Sequence, residues 1–85
     1  MTLKNATVVS SAGLHARIVS MLADCVKDYA GTAEIIWGEK RTDIKKMLGL
    51  LAMAIPAGAV VTVMVNGPDE ERMARALVNI VEETH

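Results

Sequence analysis

Hydrophobic and polar residues alternate over residues 3–10, where Ala6 and Val8 fall on the same parity. Alternation of this kind predicts a β-strand with one buried face. Residues 32–37 and 60–65 are rich in β-branched residues and are predicted as strands. Residues 40–42 follow the first of these two segments after a tight turn and are also predicted as a strand. Gly38 and Glu39 supply the tight turn, so the middle two of these strands form a hairpin.

From Ala16 onward the apolar residues recur at helical spacing, and Gly31 marks the predicted end of this first helix. Its apolar positions are Ile18, Leu22, Val26 and Tyr29. A shorter second helix is predicted between Asp43, a candidate N-cap, and Pro56. Its apolar positions are Ile44, Met47, Leu48 and Leu51. A third helix opens near residues 69–71, which are acidic and suit the positive end of a helix dipole. Its apolar positions are Met73, Ala76, Leu77, Ile80 and Val81.

The predicted order of elements is β-α-β-β-α-β-α, without an internal repeat, a linker or a low-complexity segment. Both strong helices need a sheet face to cover, so the pattern predicts an α+β fold in two layers, with three helices on one face of four strands. A length of 85 residues allows one small core, and we expect a single domain over residues 1–85.

Composition removes several classes of function. Two histidines and one cysteine are too few for a four-ligand zinc site of the Cys/His kind, so no metal centre is expected. Two aromatic residues and a formal net charge of -1 disfavour an RNA-binding module, which needs stacking rings and basic charge. Neither a signal peptide nor a membrane span is predicted, and the lone cysteine suits a reducing compartment. We therefore expect a cytoplasmic monomer.

One short stretch carries candidate chemistry: the sequence Gly-Leu-His-Ala-Arg of residues 13–17. The first turn of a helix has unpaired N–H groups and a partial positive charge, which favour an anion such as phosphate. Arg17 adds a forked guanidinium, and His15 adds a nitrogen nucleophile that is reactive near neutral pH. The alternative is that His15 simply begins a helix and that Arg17 is a solvated surface charge.

The stretch at 13–17, with the order of elements and the length, resembles the histidine-containing phosphocarrier (HPr) family of the bacterial phosphotransferase system. Residues 45–49 fall at the family's second helix, and residues 66–70 resemble its closing pattern. The resemblance implies an open-faced β-sandwich with a four-stranded antiparallel sheet. It also implies that His15 accepts a phosphoryl group from phosphorylated enzyme I and passes it to an enzyme IIA domain, with no cofactor. Such a protein is a carrier rather than an enzyme with a substrate of its own.

Two positions depart from the family pattern. Ile18 stands where the family has proline, so this chain has an additional backbone N–H that can point toward the anion. With this additional N–H, the expected phosphate-binding residues are Ala16, Arg17 and Ile18. Lys46 stands where many members carry a serine that a kinase phosphorylates, and a lysine has no hydroxyl group to modify. That form of regulation is excluded at this position.

The predicted second helix combines two lysines with three apolar residues that cannot all face a core: Lys45, Lys46, Met47, Leu48 and Leu51. An exposed apolar patch with a basic rim suits a partner with an acidic rim. The resemblance adds Ala16, Ser20 and Met21 of the first helix to this partner face. The alternative is a short helix whose Met and Leu side chains are mostly buried.

A second function remains open because of Ile18: a regulatory member of the same fold that binds a transcription factor or an enzyme and transfers little phosphate. The residues do not distinguish among three pathways, which are sugar uptake, nitrogen control and dihydroxyacetone metabolism.

Cys25 has no basic residue at a spacing that marks a reactive thiol, so we interpret it as packing filler, a side chain that only fills space beside the core. His85, the other histidine, stands at the end of the sequence.

Overall fold

Within residues 1–83, seven regular elements follow one another in the predicted order. The structure is a computed structural model that describes residues 1–83, so His85 lies outside the described residues. The strands are β1 (Thr2–Thr7), β2 (Thr32–Trp37), β3 (Lys40–Asp43) and β4 (Val60–Asn66). The helices are α1 (Ala16–Val26), α2 (Met47–Ala52) and α3 (Glu70–Glu82). Within residues 1–83, no helix is long and apolar enough to cross a membrane.

The four strands form one antiparallel sheet in the order β1-β4-β2-β3. Ala6 of β1 lies opposite Val61 of β4, and Ile35 of β2 lies opposite Val63. Because side chains alternate between the faces of a strand, this register places the apolar residues of neighbouring strands on one shared face. No helix within residues 1–83 packs on the opposite face, which gives the predicted open-faced β-sandwich.

The three helices cover the apolar face of the sheet. Residues at helical spacing on α1 and α3 are fully buried, as is one leucine of α2: Ile18, Leu22, Val26, Leu50, Ala74, Leu77 and Val81. They pack against the inward valines and isoleucine of β2 and β4 in a single cluster. The hydrophobic periodicity of the sequence therefore predicted both layers of the fold correctly.

β1 and α1 both end before their predicted positions. β1 ends at Thr7, although Val8 still exchanges hydrogen bonds with the segment before β4. The Val8 N–H donates to the Ala59 carbonyl at 2.9 Å, and the Gly58 N–H donates to the Val8 carbonyl at 2.7 Å. α1 ends at Val26 rather than near residue 31, because the Tyr29 N–H reaches back three residues to the Val26 carbonyl and tightens the last turn.

The predicted helix cap at Asp43 is wrong. Asp43 is the last residue of β3, and its carboxylate accepts the Lys45 N–H at 2.9 Å, which stabilises a turn before the helix. The N-cap position of α2 belongs to Lys46, which makes no side-chain capping bond. Ile44 also lies before the helix, where it is fully buried and its N–H donates to the Ala33 carbonyl at 2.9 Å.

Candidate functional site

His15 occupies the N-cap position of α1, with an extended backbone, and its carbonyl accepts the Val19 N–H at 3.0 Å. Two backbone hydrogen bonds hold the preceding loop in place. The Gly13 N–H donates to the Ser10 carbonyl, and the Leu14 N–H donates to the Ile55 carbonyl, both at 2.9 Å. The side chain of Leu14 is buried in the core. The half-buried imidazole of His15 is therefore carried on a backbone that the tertiary structure holds in place.

The Nδ1 atom of His15 accepts a hydrogen bond from the backbone N–H of Arg17 at 3.2 Å. An imidazole nitrogen accepts a hydrogen bond through its electron pair, so in this geometry the electron pair of Nδ1 is directed at the first turn of α1. Within residues 1–83, the backbone N–H groups of Ala16 and Ile18 have no hydrogen-bond acceptor. Nδ1 of His15 thus lies beside the unpaired donors of the helix N-terminus.

Arg17 and Ile18 have different positions in this site. The side chain of Arg17 is exposed and makes no ion pair with any residue between 1 and 83. Its guanidinium is therefore available to an anion at the helix N-terminus. The side chain of Ile18 is fully buried in the core, so only its backbone faces the site. Because the Ile18 side chain is packed in the core, the first turn of α1 is held in place.

The residues predicted as a partner face lie on two adjacent helices. Leu48 is 83% exposed and Met47 is 38% exposed, while Leu51 is half-buried and packs against the core. On α1, Ser20 is exposed and Met21 is half-buried. Lys45 and Lys46 are exposed at the start of α2, and the Lys45 ammonium donates to the Tyr29 carbonyl at 3.1 Å. The alternative of a mostly buried second helix is therefore wrong for Leu48.

A shallow groove between α1 and α2 connects the two parts of this surface, with Ser20 on one side and Met47 on the other. Three residues of α1 and the turn after it also line the groove, and they were not predicted: Ala23, Asp24 and Lys27. They follow Ser20 at intervals of three, four and seven, which is the spacing of one helix face. That periodicity was the signal in the sequence that could have identified them.

Cys25 does not belong to the site. Its side chain is half-buried against the core, and its Sγ atom lies 3.8 Å from the Sδ atom of Met73. Burial raises the pKa of the Cys25 thiol above its ordinary value, and the negative charge of Asp24 adds to this effect. A protonated, half-buried thiol is a poor nucleophile. These observations agree with the interpretation of Cys25 as packing filler.

The fold and the site together define a small α+β protein that presents a histidine at the N-terminus of its first helix, with one ring nitrogen beside the unpaired backbone donors. A family model described as the PTS HPr component phosphorylation site matches residues 3–83, and the chain belongs to this family. Its members include phosphocarriers of the phosphotransferase system, and this chain is accordingly a phosphocarrier of that system.

Known relatives match nearly the whole chain. The phosphocarrier protein HPr of Lysinibacillus sphaericus is 32% identical over 77 residues, which cover 91% of this chain and 88% of that protein. The structure of HPr from Bacillus anthracis superimposes with a TM-score of 0.88 at 25% identity, covering 95% of this chain and 96% of the other. The histidine-containing phosphocarrier protein of Mycoplasma gives a TM-score of 0.86 at 29% identity, with coverage of 93% and 90%.

Proposed function

We propose that His15 accepts a phosphoryl group from phosphorylated enzyme I and passes it to an enzyme IIA domain, in a phosphotransferase system that uses phosphoenolpyruvate. The hydrogen bond from the Arg17 N–H to Nδ1 of His15 carries this proposal. It supports Nδ1 as the reacting nitrogen, because the electron pair of that atom is directed at a helix N-terminus. The carrier acts as a single monomeric domain in the cytoplasm, where a lone thiol stays reduced.

The chemical step follows from this arrangement. The electron pair of Nδ1 forms a bond to phosphorus, and the bond between phosphorus and the donor atom breaks with its electrons passing to the donor. The Arg17 N–H must then leave Nδ1, because the new N–P bond takes the electron pair that it occupied. The same N–H is left beside the phosphoryl oxygens, which carry the negative charge.

Three residues hold the phosphoryl group in this proposal. The side chain of an N-cap residue normally accepts from the N–H groups two and three residues later, which here belong to Arg17 and Ile18. A phosphoryl group on His15 extends from that same position, so both donors and the unpaired N–H of Ala16 lie on its side of the helix. The exposed guanidinium of Arg17 adds a charged donor of matching geometry. In the onward transfer, a nucleophile of the acceptor forms a bond to phosphorus, and the N–P bond breaks with its electron pair returning to Nδ1.

The partner face supports recognition of larger proteins. The apolar centre contains Met47, Leu48 and Leu51, and Ser20 and Met21 extend it along α1 toward Ala16. Lys45 and Lys46 border it with positive charge that attracts an acidic partner surface and speeds association. In this proposal enzyme I and the enzyme IIA domain dock here in turn, because both must reach the same nitrogen of His15.

Incubation with enzyme I and phosphoenolpyruvate, followed by intact mass measurement, tests the proposal. We expect the mass of one phosphoryl group to be added, and we expect it to be lost in acid, as is typical of phosphohistidine. The His15→Ala variant should gain no mass, and persistence of the added phosphate in that variant overturns the assignment of the site. Arg17→Gln should accept phosphate more slowly than Arg75→Gln, a matched change at an exposed arginine of α3.

The regulatory alternative is tested by the second half of the reaction. Purified phosphorylated protein is mixed with an enzyme IIA domain, and the mass of both proteins is followed. Transfer of the phosphoryl group to the IIA domain supports the carrier. A protein that accepts phosphate and donates it to no IIA domain is instead a regulatory member of the family that acts by binding a transcription factor or an enzyme.

A further inference from the structure

A groove of about 440 Å³ opens at the end of α1 that lies away from His15. It is formed where the turn after α1 meets the first turns of α3. The eleven residues of α1 span roughly 16 Å at a rise of 1.5 Å per residue, so the groove and His15 lie at opposite ends of the helix. The volume falls in the range of small-molecule sites in proteins.

The floor of the groove is apolar and well supported. It consists of the ring of Tyr29 together with Met73 and Ala76 of α3. The Tyr29 hydroxyl donates to the Pro68 carbonyl at 2.7 Å, and the sulfur of Met73 contacts that of Cys25 at 3.8 Å. The sulfur contact joins α1 to α3, and the Tyr29 hydrogen bond joins the turn after α1 to the segment before α3, so the packing of these elements sets the shape of the groove.

The rim of the groove carries charges of both signs. Asp28, Asp69 and Arg72 line it, and all three are exposed. In the part of the chain that the structure describes, none of their side chains makes an ion pair or a hydrogen bond. Burial raises the pKa of the Tyr29 hydroxyl, and the negative charges of Glu70 and Asp69 add to this effect. The acids therefore impose a negative potential at one side of the apolar floor.

From this arrangement we infer that the groove binds a free α-amino acid with an apolar side chain. Such a ligand carries a carboxylate, which suits the unpaired guanidinium of Arg72, and an ammonium group, which suits Asp69 and Asp28. Asp69, the N-cap of α3, and Arg72, in the first turn of that helix, both line the groove. The apolar side chain then covers Met73, Ala76 and the ring of Tyr29, removing their surface from water.

A ligand with only one of these features matches the groove less well. A simple cation is repelled by Arg72, and a simple anion is repelled by Asp28 and Asp69. A purely apolar molecule leaves three charged groups at the edge of a surface from which water has been partly removed. The presence of both signs of charge around one apolar floor is what favours the zwitterion. The inference concerns a surface remote from His15 and is independent of the proposed phosphoryl transfer.

Titration of isotope-labelled protein with L-leucine, followed by NMR chemical shifts, tests this inference. We expect saturable shifts of the Tyr29, Met73 and Ala76 signals, with a dissociation constant on the order of 1 mM. N-acetyl-leucine lacks the ammonium group, leucinamide lacks the carboxylate, and glycine lacks the apolar side chain. Each should bind about tenfold more weakly than leucine. Equal shifts with all four compounds, or no saturation with leucine, would overturn the inference.

A matched pair of variants checks the position of the ligand. Arg72→Gln removes the guanidinium at the rim, and Arg75→Gln removes an exposed arginine that does not line the groove. We expect Arg72→Gln to weaken leucine binding about tenfold and Arg75→Gln to leave it unchanged. Asp69→Asn should weaken the binding of leucine. The variant should therefore bind leucine and N-acetyl-leucine with similar affinities. Equal affinities for the two arginine variants contradict the proposed role of Arg72.

Discussion

A Cβ atom on Gly13 would lie 2.6 Å from the carbonyl oxygen of Ile55. The same oxygen accepts the Leu14 N–H at 2.9 Å, so the loop that carries His15 rests directly on the segment after α2. The backbone of Gly13 also has a φ of +73°, in the left-handed region that favours glycine. The placement of the candidate nucleophile thus depends on a residue without a side chain.

Substitution of Gly13 by alanine should therefore lower the free energy of unfolding by about 2–3 kcal/mol, through backbone strain and steric clash together. Gly38→Ala provides the control, since Gly38 has a φ of +61° but a Cβ atom there would meet nothing within 4 Å. That variant should lose about 1 kcal/mol or less. Urea unfolding of both variants measures the difference, and equal losses would show that the contact with Ile55 does not constrain the loop.

Leu48 and Leu50 are two residues apart in α2, yet they should respond in opposite ways to substitution. Leu50 is fully buried, so Leu50→Ala should lower the free energy of unfolding by about 2–5 kcal/mol. Leu48 is 83% exposed, so Leu48→Ala should change it by less than about 0.5 kcal/mol. If Leu48 belongs to the partner face, its alanine variant should raise the KM for the protein in phosphorylation by enzyme I. An unchanged KM would remove Leu48 from that face.

Ala54 follows α2 with a φ of +51°, a conformation that is strained for any residue with a side chain. This is the position after a helix at which glycine is most often found. Ala54→Gly should raise the free energy of unfolding by about 0.5–1 kcal/mol, because relief of strain exceeds the added freedom of the unfolded chain. Ala57 has no positive φ, so Ala57→Gly should instead destabilise the protein. Thermal and urea unfolding distinguish the two signs, and a loss of stability in Ala54→Gly would contradict this account.

Glu70 links the N-terminus of the chain to α3. Its carboxylate lies 2.7 Å from the α-amino group of Met1 and accepts the Thr2 hydroxyl, and these contacts hold the pKa of Glu70 below its ordinary value. Because the pKa of Glu70 is lower in the folded state, its contacts contribute to stability above about pH 4.3, the pKa of glutamate in the unfolded state. That contribution is lost as the pH falls through the pKa of Glu70 in the folded state.

The Glu70→Gln variant should therefore show a weaker loss of stability between about pH 5 and about pH 3 than the unaltered protein. Urea unfolding across this range, with protein that retains Met1, is the measurement. Glu39→Gln, in the exposed turn of the β2–β3 hairpin, is the control and should follow the unaltered protein. Parallel curves for Glu70→Gln and the unaltered protein would mean that the contacts of Glu70 do not contribute.

Local patterns in the sequence predicted most of the fold correctly. The apolar spacing of Ile18, Leu22 and Val26 identified the buried side of α1, and the valines of β4 identified the strongest strand. Both patterns are periodic over several residues, so they report burial without knowledge of the partner element. The prediction was wrong at Asp43, where a residue suited to a helix cap stabilises a turn instead, because the same side chain satisfies backbone N–H groups in either setting.

The sequence by itself determined the order of the elements and the position of His15 at the start of a helix, because turn residues and periodicity act over a few neighbouring positions. The tertiary structure alone decided that β1 lies beside β4, since that pairing joins residues far apart in the chain. It also decided which leucine of α2 is buried: six consecutive residues make fewer than two turns, too short a pattern to define one face. The groove between Tyr29 and Arg72 exists only because two helices distant in sequence pack against each other.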